Sequence, residues 1–175
     1  MPTFMEFADK MRALPEYSDY QFIVAAAPSR SMADYVTWTK GRENYVKVIF
    51  NDSYAIIHNS AAAVVNSGTA SLETALIGTP QVVTYKGLPI NFAIGKKIIK
   101  ITFISLGNLI LGRQCFRELI QDYFTSENVL QEIRRLLEDS EYRESMLQGY
   151  AGIREALGGS GASAAVARAM LDELI

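Results

Sequence analysis

The sequence predicts an α/β domain, a parallel sheet with helices on both faces. Three observations predict it. Short runs rich in apolar and β-branched residues alternate with longer stretches of helical period, as at Tyr20–Ala26, Val46–Phe50, Ala61–Val65 and Gln81–Tyr85. Several of these runs are apolar at nearly every position, as strands covered on both sides should be. The stretch Val64–Val65–Asn66–Ser67–Gly68–Thr69–Ala70–Ser71–Leu72–Glu73 passes from a strand through a Gly-containing break into a helix, which Gly78–Thr79–Pro80 stops before the next strand. That is a strand–helix–strand unit, whose hand is set by the right-handed crossover rule.

Taken in order, Thr3 and Glu6 have capping-box spacing at the start of a helix with Phe4, Phe7, Ala8, Met11 and Leu14 on its apolar side, closed by Pro15. After the strand at 20–26, Ser31 caps a helix to about Thr39, with Tyr35 and Trp38 inward. Val46–Phe50 is a strand, and a helix runs from Asn51–Asp52–Ser53 to His58 or Asn59. In the helix that begins at Thr69, Leu72 and Leu76 share one side. Beyond Tyr85, Ile90–Ile101 is a helix, Thr102–Leu106 a brief strand or extended piece, and Phe116–Ile120 the beginning of another helical turn. Ser126 caps a helix bearing Val129, Ile133, Leu136 and Leu137, and Asp139 or Ser140 caps the next. Gly158–Gly159–Ser160–Gly161 is a flexible break before an Ala-rich helix over 162–175.

Composition narrows the functions. The 175 residues fit one domain, or one domain with a helical appendage, and 49% apolar content supports a sizeable core. A formal net charge of -2 gives no general attraction to nucleic acid. Cys115 is the only cysteine, so no intrachain disulfide forms, and the chain fits a reducing compartment. His58 is the only histidine, near a helix end without a catalytic pattern around it, and reads as structural. No zinc-type ligand cluster occurs. No apolar run reaches the roughly 20 residues of a spanning helix, because Lys96, Lys97 and Lys100 interrupt the best one. With Phe92, Ile98, Ile99 and Phe103, those lysines make either an anionic-membrane face or an ordinary charged helix face. The start, Met1–Pro2–Thr3–Phe4, lacks a signal-peptide plan and supplies no strand before the first helix.

The chemistry gathers at two places. In an open parallel sheet, ligands bind at the carboxyl ends of strands, where the free amides of a helix's first turn attract anions. Gly68 and Thr69 stand at such a start. Glu73, one turn on, either accepts the hydroxyls of a ribose diol or is a solvated Glu favoured by the helix dipole. Asn108, Gly112 and Arg113 bracket Leu109–Ile110–Leu111 in a compact loop. Arg113 either binds a diphosphate in bidentate fashion or is an ordinary exposed Arg. Neither a G-x-G-x-x-G fingerprint nor a P-loop is present.

Asn66–Ser67–Gly68–Thr69–Ala70–Ser71–Leu72–Glu73, with Gly78–Thr79–Pro80, resembles the S-G-T-A-x-L-E…G-x-P stretch of the lipid-A-disaccharide synthases. Val82–Val83–Thr84–Tyr85–Lys86 matches that family's V-V-x-Y-R/K strand exit. Phe103–Ile104–Ser105–Leu106–Gly107–Asn108–Leu109–Ile110–Leu111–Gly112–Arg113 is similar to its V-S-L-P-N-L-L-A-G-R block, with Gly107 where Pro is usual. Glu118–Leu119–Ile120–Gln121 corresponds to E-L-L-Q, and Gly161–Ala162–Ser163 to the C-terminal end.

The resemblance implies a three-layer Rossmann-like parallel sheet, the C-terminal half of a GT-B glycosyltransferase fold. Residues 1–157 would be the donor-binding domain without its first strand, and residues 158–175 a crossover helix. The full enzyme would be an inverting glycosyltransferase of the cytoplasmic face of the Gram-negative inner membrane. It would transfer 2,3-diacylglucosamine from its UDP derivative to 2,3-diacylglucosamine 1-phosphate, with no cofactor and no metal. Ser67, Gly68 and Thr69 would lie beside the diphosphate, Glu73 on the ribose, and Asn108, Gly112 and Arg113 in the rest of the donor wall, with Gln121 behind. The catalytic base and the acceptor site are expected in an N-terminal domain outside this chain. The chain alone is expected to be inactive, and an uncovered domain face would favour self-association. Two alternatives stay open: another UDP-sugar GT-B enzyme such as a UDP-N-acetylglucosamine 2-epimerase, and a non-catalytic nucleotide-binding domain.

Overall fold

The structure, a computed structural model, describes residues 1–66, 68–87, 103–158 and 167–171. Helices α1 (Pro2–Arg12), α2 (Ala33–Thr39), α3 (Ser53–His58) and α4 (Thr69–Ile77) alternate with strands β1 (Phe22–Ala26), β2 (Val46–Phe50), β3 (Ala63–Asn66) and β4 (Gln81–Tyr85). Then follow α5 (Leu106–Leu111), β5 (Glu118–Ile120), α6 (Ser126–Glu138) and α7 (Ser140–Leu157). Of the C-terminal helix expected over 162–175, residues 167–171 are helical and the rest lie outside the described residues. The expected helix at 90–101 with its three lysines also lies outside them.

Among the described residues every strand pairing is parallel, as the all-apolar runs predict. The strands form two sheets, β1–β2 and β3–β4–β5. In β4, Gln81, Val82, Val83 and Thr84 are all buried. Successive side chains point to opposite faces, so this strand is covered on both. Helices α4 and α6 both pack on it. Helix α1 packs on α2 and α6, and α3 on α4, which in turn meets α5 and α7. The core joins Met11 of α1 to Val82 and Val83 of β4, Leu119 of β5, Leu136 of α6, and Tyr150 and Ile153 of α7. A smaller cluster seats Met5 and Ala8 of α1 on Val46, with Phe22 and Val24 beside them.

Several local expectations change. The first helix begins at Pro2, whose fixed φ suits the first helical position, so Thr3 is inside it and caps nothing. Glu6 pairs instead with Lys10 at 3.0 Å. At α2 the capping partners are reversed: the Asp34 carboxylate accepts from the Ser31 amide at 2.8 Å and its hydroxyl at 2.9 Å. Trp38, expected inward, is exposed, while Tyr35 is buried.

In α4 the buried positions are Ser71, Thr74 and Ala75, and Leu76 is exposed. Small residues let this helix approach its neighbours closely. Their hydroxyls are not left bare, because Ser71 Oγ donates to the Gly68 carbonyl and Thr74 Oγ1 to the Ala70 carbonyl, each at 2.8 Å.

Residues 106–108, read as the end of a strand and a loop, belong to α5. A Cβ at Gly107 would lie 2.8 Å from Phe116 Cζ, so this glycine allows close packing. Residues 118–120 form strand β5 rather than a helical turn, because β4 offers its edge and Tyr85 pairs with Ile120. The cap of α6 is Thr125, which accepts from the Asn128 amide at 3.2 Å. Ser126 is buried and accepts from Lys10 Nζ at 3.0 Å. Of the two caps expected for α7, Asp139 is the one used, accepting from the Tyr142 amide at 2.9 Å.

Candidate functional site

Parallel strands put the carboxyl ends of β3, β4 and β5 on one edge of their sheet. The residues that follow them in the sequence are Ser67–Gly68, Lys86 and Gln121. Gly68 has φ 147°, a backbone conformation that side-chain-bearing residues rarely adopt, and it turns the chain from β3 into α4. Gly68, Thr69 and Ala70 are exposed. Thr69 and Ala70 open α4 with no helical carbonyl for their amides to meet, whereas the Ser71 amide donates to the Gly68 carbonyl at 3.3 Å, and this exposed start is an anion-attracting end.

Beneath this open start the helix is held firmly. Gln81 Nε2, fully buried on β4, donates to the Ser71 carbonyl at 2.8 Å. Thr79 Oγ1 donates to the Ile57 carbonyl at 2.6 Å and thereby ties the end of α4 to α3. Glu73 is half-buried, and its Oε1 accepts from the Tyr54 hydroxyl at 3.3 Å. Ser67 lies outside the described residues.

Asn108 has a different place from a wall residue. It is fully buried. Its Oδ1 accepts from the amides of Cys115 at 2.7 Å and Phe116 at 3.2 Å. Its Nδ2 donates to the Phe116 carbonyl and to Glu118 Oε1, both at 2.9 Å. Every hydrogen-bonding direction of this amide is used inside its own loop. Glu118 accepts in addition from the amides of Ile104 at 2.9 Å and Ser105 at 3.1 Å, and from the Ser105 hydroxyl, which holds the residues that lead into α5. Asn108 and Glu118 therefore shape α5 and the turn behind it. Because α5 packs on α4, the two sequence blocks come to adjacent helices.

Gly112 ends α5 in the left-handed region, φ 63°. Arg113 follows, exposed, over Gly149 of α7 and beside Cys115. Among the described residues no carboxylate pairs with it. Gln121 directly follows β5 with φ 54°, and its buried Nε2 has no hydrogen-bond partner among the described residues. Left-handed backbone in a non-glycine residue costs about 1–3 kcal/mol and collects at functional positions. Among the described residues these elements thus offer an exposed helix start with a carboxylate one turn in, a guanidinium without a carboxylate partner over α7, and an unpartnered amide donor just after β5.

The remaining candidates are quieter. Burial pushes the Cys115 thiol up to about 11, which leaves it protonated and unreactive near neutral pH. His58 is exposed at the end of α3. An open groove of about 610 Å³ lies along α6, lined by residues such as Leu130 and Arg134, and contains none of the predicted site residues. Among the described residues, no group of three or more His, Cys, Asp or Glu could hold a metal, and no helix is long and apolar enough to cross a membrane. Tyr54 was missed by sequence reasoning. No spacing rule links a residue in one short helix to a carboxylate two elements later.

Comparison with known proteins agrees with the motifs. A sequence model of the lipid-A-disaccharide synthetase family matches residues 1–166. The lipid-A-disaccharide synthase of Syntrophotalea carbinolica is 35% identical over 172 residues, covering 98% of this chain and 43% of the relative. That of Trichlorobacter lovleyi is 35% identical over 172 residues, covering 98% and 44%. That of Myxococcus xanthus is 34% identical over 174 residues, covering 99% and 45%. The chain thus spans less than half the length of these curated relatives, yet nearly all of it is matched. With its motif blocks in family order on a parallel α/β scaffold, the chain belongs to the lipid-A-disaccharide synthase family.

Proposed function

We propose that this chain is the donor-nucleotide-binding half of a lipid-A-disaccharide synthase. The observation that carries the reading is the exposed start of α4 at the carboxyl end of β3, with Glu73 one turn further on, in a chain of this family. In this reading the amides at Gly68–Ala70 and the flanking Ser67 receive the diphosphate of UDP-2,3-diacylglucosamine, and Glu73 accepts the ribose hydroxyls. Arg113 and Gln121 close the donor wall, with Gly112 giving Arg113 its turn and Asn108 holding the loop from within.

The 6-hydroxyl of 2,3-diacylglucosamine 1-phosphate attacks the anomeric carbon as the bond to the diphosphate breaks, inverting that centre. The hydroxyl proton goes to a base outside this chain, and the charge that develops on departing UDP is met by the amides of α4 and the Arg113 guanidinium. The reading calls for no resident cofactor. Residues 1–157 are the donor domain and 158–175 a crossover helix. In the longer protein a strand that leads into α1 would lie between β1 and β3, making the two sheets one doubly wound sheet. The assembled enzyme would work peripherally at the cytoplasmic face of the inner membrane. The chain alone would bind UDP without transferring sugar, and its uncovered face would favour self-association.

A UDP titration followed by heteronuclear NMR tests this, with UMP and ADP as controls. The expected result is saturable shifts centred on 68–73 and 108–113, weaker with ADP and lost in Glu73→Ala. A folded chain that stays silent up to several millimolar UDP would overturn it.

A further inference from the structure

Tyr54 is an exposed aromatic residue in the first turn of α3, with 63% of its surface open to solvent, and core packing gives no reason for it there. Its hydroxyl is the only hydrogen-bonding or ionic partner that the Glu73 side chain has among the described residues. The two residues come from opposite sides of the strand topology. Tyr54 follows the carboxyl end of β2 in one sheet, and Glu73 stands on the helix that follows β3 in the other.

Hydrogen bonds tie the frame beneath the pair together. Thr79, at the end of α4, bonds the Ile57 carbonyl of α3 at 2.6 Å, and the Ser60 hydroxyl bonds the Ile56 carbonyl at 2.6 Å. Gln81 fixes the other end of α4 through Ser71. Tyrosine reaches across on only two rotatable side-chain bonds, whereas a partly exposed Glu left to itself samples several rotamers.

We propose that Tyr54 is a positioning residue for the donor's ribose, holding Glu73 Oε1 so that the carboxylate presents its remaining lone pairs to the vicinal diol. The proposal rests on the reading of Glu73 as the ribose acceptor. An ionised carboxylate accepts about four hydrogen bonds, so one phenol proton leaves room for two ribose hydroxyls. The gain is orientation: without the phenol, binding the diol must first order the Glu73 side chain. The same contact makes the two sheets share the site, since a shift of α3 against α4 would move the carboxylate.

The test compares dissociation constants of this chain for UDP and for 2′,3′-dideoxyuridine diphosphate, in the unmodified protein, Tyr54→Phe, Glu73→Gln and the double variant. Tyr54→Phe keeps the ring, and its melting temperature serves as the folding control. The expected result is about three- to tenfold weaker UDP binding in Tyr54→Phe, the size of one hydrogen bond. Dideoxy binding should be unchanged, and Tyr54→Phe should add no further loss in the Glu73→Gln background. Equal weakening toward both nucleotides would assign Tyr54 to the base or phosphate and overturn the proposal. So would unchanged UDP binding in Tyr54→Phe while Glu73→Gln binds weakly. If Glu73→Gln itself binds UDP normally, the ribose reading of Glu73 fails first, and the role of Tyr54 falls with it.

Discussion

Two loops that the sequence marks with equal emphasis, the turn into α4 and the turn around α5, are built in opposite ways. At the first, Gly68, Thr69 and Ala70 are exposed and the leading amides of α4 have no partner in their own helix. At the second, Asn108 is fully buried and all its hydrogen-bonding capacity closes on Cys115, Phe116 and Glu118. The comparison teaches that a conspicuous polar residue beside a glycine has two possible jobs. An open polar end keeps its capacity for a ligand. A closed one spends it on holding the chain, and its loss is felt first in stability.

Substitutions can break or sharpen that contrast. Asn108→Ala should have the largest effect. It strands two buried amides and a buried carbonyl, and a lost partner costs about 1–3 kcal/mol for each such group, so a loss of at least about 3 kcal/mol should appear as a lower urea midpoint. An Asn108→Ala protein of unchanged stability would mean that the loop is as open as the α4 turn.

Gly107→Ala comes next. Its new methyl would meet Phe116 and Ile153, and overpacking of about 1–3 kcal/mol outweighs the roughly 1 kcal/mol that a helix gains from Ala. A net loss of about 1 kcal/mol is expected in thermal melting.

A third, half-exposed case lies between the open and closed turns. Asp9 is held in bidentate fashion by Arg42, with both bonds at 2.6 Å, and Tyr45 also donates to it at 2.6 Å. The Arg42 bonds lower its pKa below the ordinary value, against the opposing effect of burial. A carboxylate so depressed adds stability above its unfolded pKa and loses it as pH falls through the folded one. Denaturation midpoints of the unmodified protein and Asp9→Asn should therefore differ near neutral pH and converge in acid, below the ordinary Asp range. A gap that persists there would assign the effect to packing.

Glu73→Ala should have the smallest effect on stability, within about 0.5 kcal/mol, because a partly exposed side chain with one long hydrogen bond supports little of the fold. A large loss on melting would move Glu73 to the closed class, alongside Asn108.

Much of the architecture was legible in the residues. Val46–Phe50 and Gln81–Tyr85 are strands over the residues expected, and Thr69, Gly78 and Asp139 bound their helices as read. These are local signals, set by β-branching, left-handed glycine and side-chain capping. The misreadings were places where a neighbour decides. Glu118–Ile120 is a strand because β4 presents an edge to it. Trp38 is exposed and Ser71 buried because of what lies opposite each, which helical period cannot supply. Of the candidate site, the positions of Gly68, Thr69 and Glu73 on one helix start could be read from sequence, because they are neighbours in one element. The closed amide of Asn108, the unpartnered amide of Gln121 and the hydroxyl of Tyr54 on Glu73 could not.

By itself, the sequence determined the alternation of strands and helices, the parallel sense of the sheet and the family, because these are carried by periodicity, by continuous apolar runs and by motif blocks in order. Only the tertiary structure decided which polar groups remain available. A hydrogen-bonding group is satisfied or left open by where the fold carries its partners: Asn108 closes on Phe116 and Glu118 across its own turn, whereas Glu73 meets only Tyr54 from another helix among the described residues and keeps its remaining lone pairs open.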